Sequence, residues 1–499
     1  MNISKYINHW ALSFLIVITT SCDGFLTEID PSNFNTDNYF TQPEHAQSIV
    51  NATYQSLYPM HTGQSWLITE LQTGATNSTF EANAGFPSFQ LVRNLDMDSD
   101  HPSVENIWDS HYLGIGNANT AISRIPGINM DEAQKARLLG ESRFLRAYYY
   151  FNLVRIFGEV PLIRNPIDLG SPDLNPSRSP VEEVYELIVE DLMIAETAGL
   201  PFNDASGRVT TGAVKSLLAD VYLTMAGHPL QLGSSYYQLA RDKAKEVIDS
   251  QEYSLFNSYD AFREKENDNL GEYIFMVQFN ALEQPSDALQ VGLVPFRLGV
   301  SAYASEEGFS FAQREFVASY EEGDRRAEEG AYFFSKFTSE SDRSDTVQFG
   351  DFYHFKFFDD NAHLSTARSG HNWQVIRYAD VLLDFAEAEN ELSGATPEAL
   401  EAVNQIRRRA GIPELSGQDQ EQFREAIWTE RWHEQYFEGE IWFDMVRTRK
   451  AFDYLNGQFN DYVGHTFVDG NTLEERHLLF PIPTAEIRNN LNLEQNLGY

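Results

Sequence analysis

Through most of the chain apolar positions recur every three to four residues, and short polar stretches rich in Gly, Pro, Asn and Ser interrupt them. Val184, Leu187, Ile188, Leu192 and Ala195 fall on one helical face. Ser179-Pro180-Val181-Glu182 opens that helix, with Ser as N-cap, Pro first and Glu third, and Gly199 and Pro201 close it. Val214, Leu217, Leu218, Val221 and Met225 repeat the spacing, and a third helix is predicted from about Tyr236 to Asp249, ahead of a break at Gln251 to Phe256. Short connections between amphipathic helices make neighbours that fold back on each other, so the pattern predicts an array of helical hairpins.

The C-terminal part repeats the scheme. Tyr378, Val381, Leu382 and Phe385 line a helix ending near Gly394; Thr396-Pro397 opens the next, and Arg407-Arg408-Arg409 occupy its last turn before Gly411 and Pro413. Cations there complement the helix dipole, which reads the triplet as a helix end and not a nucleic-acid patch. A further helix is predicted over Gln420 to Phe437, and Thr41-Gln42-Pro43-Glu44 has the form of a capping box for a helix near the start. No strict 34-residue period is present, so a tetratricopeptide-like array would be degenerate.

Residues 256–373 differ. Aromatics concentrate there among Gly, Ser and Glu; Tyr273 to Phe279 and Phe349 to Phe358 read as strands, and no helical period is sustained. A second irregular segment, His61 to Pro102, holds Trp66, Phe80, Phe86 and Phe89. Long irregular segments on a helical scaffold are commonly binding loops, although aromatics beneath a long loop also pack as a satellite core. Trp and Tyr combine a flat apolar face with a polar edge that suits a sugar ring, so Trp66, Tyr303 and Trp373, with Phe80 and Phe309, are the expected ligand contacts.

The N-terminus reads as an address. Lys5, the apolar run Trp10 to Ile18 and Thr19-Thr20-Ser21 make a signal peptide, shorter than the ~20 residues of a membrane-spanning helix. Cys22 follows directly, an arrangement that resembles a bacterial lipoprotein processing site, with Cys22 lipidated. The expected organisation is a signal peptide 1–21, an extended lipidated segment 22–40, a helical region 41–255, the aromatic loop and strand region 256–373 and a helical region 374–499, with 41–499 one unit.

Charge and composition then narrow the chemistry. Thirty-six Lys and Arg against 74 Asp and Glu give a net charge of −38, which argues against nucleic-acid binding and against holding an anionic membrane by a basic patch. Cys22 is the only cysteine, so no internal disulfide and no cysteine zinc site is expected. The chain has no H-E-x-x-H, G-x-S-x-G, G-x-G-x-x-G or Gly-Lys phosphate loop, and no cofactor is expected. Glu430, Glu434 and Glu438 share a helical face, which a glycosidase would exploit; with Arg431 and Arg447 nearby, an ion-pair network is the preferred reading. Asp96, Asp98 and Asp100 alternate as calcium ligands do, yet His101 and Ile107 stand where an EF-hand needs Gly and Glu. The alternative is a solvated acidic loop that caps the helix beginning near Val104.

Several stretches together resemble the SusD/RagB family of nutrient-binding outer-membrane lipoproteins: Ser21 to Leu26, Glu141 to Phe151 with Phe157 to Leu162, Gly207 to Thr210, Arg377 to Leu383 with Ala386-Glu387-Ala388, Arg407 to Pro413, Pro481-Ile482-Pro483 and Gln495 to Tyr499. The resemblance implies a mainly α fold of about four degenerate tetratricopeptide-like units, with long loops and a few short strands forming the ligand surface. It also implies non-catalytic capture of an oligosaccharide or polysaccharide at the cell surface and delivery to a SusC-like TonB-dependent transporter. The expected partners are that transporter, the glycan and the membrane through the lipid; peptide capture of the RagB type is the alternative, and a surface glycosidase the third reading.

Overall fold

Helices α1 (Pro43–Gln55), α2 (Pro102–Arg124), α3 (Glu132–Phe157), α4 (Val181–Glu196), α5 (Thr211–Ala226), α6 (Ser234–Ser250), α7 (Tyr378–Ser393) and α8 (Pro397–Ala410) pack in chain order. They pair as α1 with α2, α3 with α4, α5 with α6 and α7 with α8, and the pairs join through α2 on α3, α4 on α5 and α6 on α7. This is a mainly α array of helical hairpins, as the spacing predicts, and a tetratricopeptide-like one, as the resemblance implies. The computed structural model describes residues 39–62, 65–78, 87–167 and 174–499. Cys22, Phe80 and the signal segment lie outside them.

Local signals set most helix ends. Thr210 and Thr396 cap α5 and α8 by accepting from the N–H groups of Ala213 (3.0 Å) and Ala399 (3.3 Å). Gly411, at φ 78°, takes the left-handed turn that ends α8. The expected Ser179 cap is displaced: α4 begins at Val181 with Pro180 as N-cap, because the Ser179 N–H donates to Val160 O (2.9 Å) and holds the residue in a strand bridge. At α1 the reciprocal cap forms between Gln42 and His45, one residue later than Thr41 and Glu44.

The main apolar core runs from Leu57 to Leu493, while α1 buries Ala46 and Val50 in a smaller cluster with Ala121, Ile125, Ile128 and Leu138. The second half of α3 is buried all round, from Phe144 to Phe157, which makes it the central helix. Asp191 of α4 accepts Arg146 Nε (2.7 Å) and Arg143 Nη1 (2.6 Å), fixing α4 against it. Between α6 and α7 the chain builds most of two small sheets, one of which also takes a strand from the segment between α1 and α2. β2 (Tyr273–Val277) pairs antiparallel with β6 (Trp373–Arg377); β1 (Thr76–Asn77), β3 (Phe311–Ala312), β5 (Thr346–His354) and β4 (Phe333–Thr338) form the other in that order. The predicted strand to Phe358 stops at His354, where the Phe355 N–H turns to Tyr332 O (2.8 Å).

Candidate functional site

The loop layer is anchored by charge. α9 (Gln420–Glu434) ends three residues before the predicted Phe437, and the chain turns through Phe437 (φ 63°) and Gly439 (φ 85°). Glu70, fully buried, holds this turn by accepting Phe437 N–H (2.9 Å) and Gly439 N–H (3.0 Å). Burial pushes its carboxyl up to about 7 against the pull of those two donors. Lys356 donates to the carbonyls of Glu434 (2.9 Å) and Tyr436 (3.1 Å) and pairs with Glu438; burial brings its ammonium down to about 8.

Beneath that turn, residues far apart in sequence form one buried ion-pair network. Arg326 meets Asp324 (2.7 Å) and Glu430 (2.6 Å); Arg377 meets Glu272 (2.8 Å), Glu434 (3.0 Å) and Glu438 (2.8 Å). Arg409 meets Glu272 (2.5 Å) and Glu434 (2.6 Å), and Arg407 meets Glu430 (3.1 Å). Glu430, Glu434 and Glu438 are therefore structural, in agreement with the preferred reading, and paired carboxylates of this kind have no room for a substrate. The expected partners are corrected: Arg431 and Arg447 bind Glu387 instead, at 3.0 and 2.6 Å. The Arg triplet is also more than a helix end. Arg408 alone is solvent-facing, with Glu401 and Glu414, while Arg407 and Arg409 point into the network.

On this frame sits an aromatic layer. Trp66 and Trp373 lie 4.3 Å apart, Trp373 stacks on Phe357 (4.9 Å) and on His61 (5.4 Å), and Trp66 meets Phe437 edge-on (5.1 Å). A cavity of about 20 Å³, lined by residues that include His61, Phe279, Ser286, His371, Asn372 and Trp373, lies at this layer. That volume suits one water, not a sugar ring. Both ring nitrogens of His61, Trp66 Nε1 and Gln374 Nε2 are buried there without a hydrogen-bond partner among the described residues, and burial lowers the His61 imidazole to about 3, so it is neutral. Asn372 reaches outward from the layer, accepting Phe279 N–H (2.7 Å) and donating to Gln278 Oε1 (2.9 Å).

The structure corrects the expectation that several aromatics form an exposed platform. Trp66 is 2% exposed, Phe309 1% and Trp373 5%. Trp66 and Trp373 pack on each other, and Phe309 fills the space beside Gly292 and Phe89 (5.5 Å). Large flat side chains gain most by burying both faces, and the irregular segments deliver these three rings to the main apolar core. Tyr303 is the exception, at 57% exposed, on a segment tied down by its N–H and that of Ala302 to His363 O (3.3 and 2.9 Å). His61, His371, Asn372 and Gln374 were missed. Their adjacency in sequence to Trp66 and Trp373 was the available signal.

Asp96, Asp98 and Asp100 stand apart from this layer. Asp98 Oδ1 accepts Asp100 N–H (3.0 Å), and α2 is capped by His101, whose Nδ1 accepts Ser103 N–H (3.2 Å), so the acidic side chains are not the cap. All three are exposed, and among the described residues no group of three or more His, Cys, Asp or Glu is placed to hold a metal ion.

A tetratricopeptide-like scaffold bearing a long, ion-pair-anchored aromatic loop layer defines a helical-repeat protein. Comparison with known proteins gives the family. Residues 302–499 match the SusD family, and residues 25–223 match a SusD-like family described as starch-binding associating with outer membrane. A SusD superfamily protein from Parabacteroides distasonis has 37% identity and a TM-score of 0.87, over 94% of this chain and 100% of that one. The chain belongs to the SusD superfamily. "SusD-like protein P2" from Formosa agariphila is 28% identical over 93% of this chain and 94% of its own length. Surface glycan-binding protein A from Bacteroides fluxus shares the fold, with a TM-score of 0.76 at 22% identity, covering 92% of this chain and all of that one. Among the described residues no helix is long and apolar enough to cross a membrane.

Proposed function

We propose that this protein is a cell-surface lipoprotein that binds a neutral oligosaccharide or polysaccharide on its loop layer without cleaving it and passes it to a SusC-like TonB-dependent transporter. The observation that carries the reading is the loop layer itself, braced from below by buried ion pairs and presenting Tyr303 to solvent, on a chain that belongs to the SusD superfamily. The starch-binding description of one matching family and the name of the Bacteroides fluxus relative support a glycan as ligand. The net charge of −38 favours a neutral glycan over an anionic one. Buried pairing of Glu430, Glu434 and Glu438 leaves that trio no catalytic role.

Titration of the protein with a panel of neutral α- and β-glucan oligosaccharides, read by calorimetry with product analysis, tests this. Saturable binding without hydrolysis is expected, and Tyr303→Ala should weaken it by about fivefold or more, since loss of a stacking face costs on the order of 1 kcal/mol. Turnover of any oligosaccharide would sink the binder reading, and binding of peptides alone would replace the ligand class. The anchor has a separate test. Cys22→Ala should move the protein from the membrane fraction to the soluble fraction, and unchanged membrane association would refute lipidation at that residue.

A further inference from the structure

A cleft of about 390 Å³ opens where the end of α3, the start of α4, the end of α5, the helix α10 (Ile441–Thr448) and the chain from Glu475 to Leu497 meet. Its size lies within the ~300–1,000 Å³ of pockets that enclose small organic ligands. The walls are mainly apolar, with Val154, Val181, Tyr185, Phe443, Leu478 and Leu479 among them. The charged groups that face it are Arg155, Arg178, Arg449 and Arg476, with His228, against Glu159 and Glu475, both exposed. In a chain of −38 this is a local reversal of sign.

Two of these cations make no direct ion pair among the described residues. Arg178 is satisfied only by neutral oxygens: the carbonyls of Glu159 (2.7 Å), Glu494 (3.0 Å) and Phe157 (3.2 Å) and Asn496 Oδ1 (2.6 Å). Arg449 makes one hydrogen bond, to Val446 O (3.0 Å), from a left-handed backbone at φ 56°. Among the described residues neither has a carboxylate within ion-pair distance; burial lowers the proton affinity of both, against the longer-range pull of Glu159 and Glu494 on Arg178 and of Glu475 on Arg449. Arg155, nine-tenths buried between the rings of Phe151 (3.9 Å) and Phe443 (3.8 Å), is matched through Nη1 to Glu440 (3.4 Å) and Asp220 (3.6 Å), and only its Nε lacks a partner among the described residues. Elsewhere the same protein matches buried guanidiniums to carboxylates, as at Arg326, Arg377 and Arg409. Half-buried cations left unmatched beside an apolar cavity are complementary to an anion with an apolar body.

We propose that this cleft is a second ligand site, distinct from the loop layer, that takes a small amphiphilic carboxylate with its head toward Arg449 and Arg178 and its apolar part against Leu478, Leu479 and Phe443. The proposal does not depend on the glycan reading. Decanoate below its micellar concentration is the probe, with decanol and acetate as controls for the two halves of the ligand. Calorimetry should show saturable decanoate binding, with both controls at least about tenfold weaker. Arg449→Asn removes the cation with a residue that tolerates φ > 0, and should weaken decanoate by about fivefold or more at an unchanged denaturation midpoint. Leu497, 84% exposed on the rim, gives a second variant: Leu497→Asp should weaken it by about threefold through like-charge repulsion. Absence of saturable decanoate binding, equal binding of decanol, or unaltered affinity in both variants would overturn the assignment.

Discussion

Replacing Glu434 by Gln is expected to cost about 3–5 kcal/mol of folding stability, the range for breaking a buried ion pair by removing one partner. Glu434 is fully buried, and its carboxylate is shared by Arg409 (2.6 Å), Arg377 (3.0 Å) and Arg326 (3.3 Å). The directly paired buried groups balance: Arg326, Arg377, Arg407, Arg409 and Lys356 stand against Asp324, Glu272, Glu430, Glu434 and Glu438. Gln keeps the shape and leaves one positive charge uncompensated at a position shut off from bulk solvent. Urea unfolding followed by circular dichroism measures the loss, and a change below about 1 kcal/mol would contradict the central role given to Glu434. The pH dependence carries a sign. Burial alone would raise the Glu434 carboxyl, but Arg409, Arg377 and Arg326 outweigh it and hold the group far below its usual 4.5. A depressed carboxyl contributes stability that is complete at neutral pH and is lost as pH falls below about 4.5 toward the folded value. Glu434→Gln should therefore lose less stability than the wild type between pH 5 and about 2.

This network also marks where sequence reading runs out. The helical hairpins were legible because their signals are local: Thr396-Pro397 and Gly411 bracket α8 whatever surrounds them. Ser179 failed as a cap because a residue nineteen positions earlier, Val160, claims its N–H. The charge on one face of α9 was equally legible, and so was its structural role. Its partners were not, since Arg326, Arg377 and Arg409 arrive from segments brought near only by the fold, while the adjacent Arg431 turns to Glu387 on α7. In residues 256–373 the composition announced aromatic packing, but outside its two strand-like runs the segment has no period to say which ring faces inward. Tyr303 and Trp373 look alike as sequence, and one is exposed while the other is core.

That difference makes Trp373→Ala the sharpest test of the site. The ring is 5% exposed and lies between Trp66, Phe357 and His61, at 4.3, 4.9 and 5.4 Å. Truncating a buried Trp removes its transfer free energy and leaves a cavity, so stability should fall by about 3–5 kcal/mol. The loss should be met in the denaturation midpoint, whereas glycan affinity per folded molecule should stay within about twofold. Tyr303→Ala should do the reverse: its ring is mostly in water, so stability should change by less than about 0.5 kcal/mol while glycan affinity drops. The two variants separate what braces the loop layer from what meets the ligand. If Trp373→Ala abolished glycan binding in a protein of unchanged stability, its ring would have to reach the ligand directly, and the loop layer would have to open to admit it.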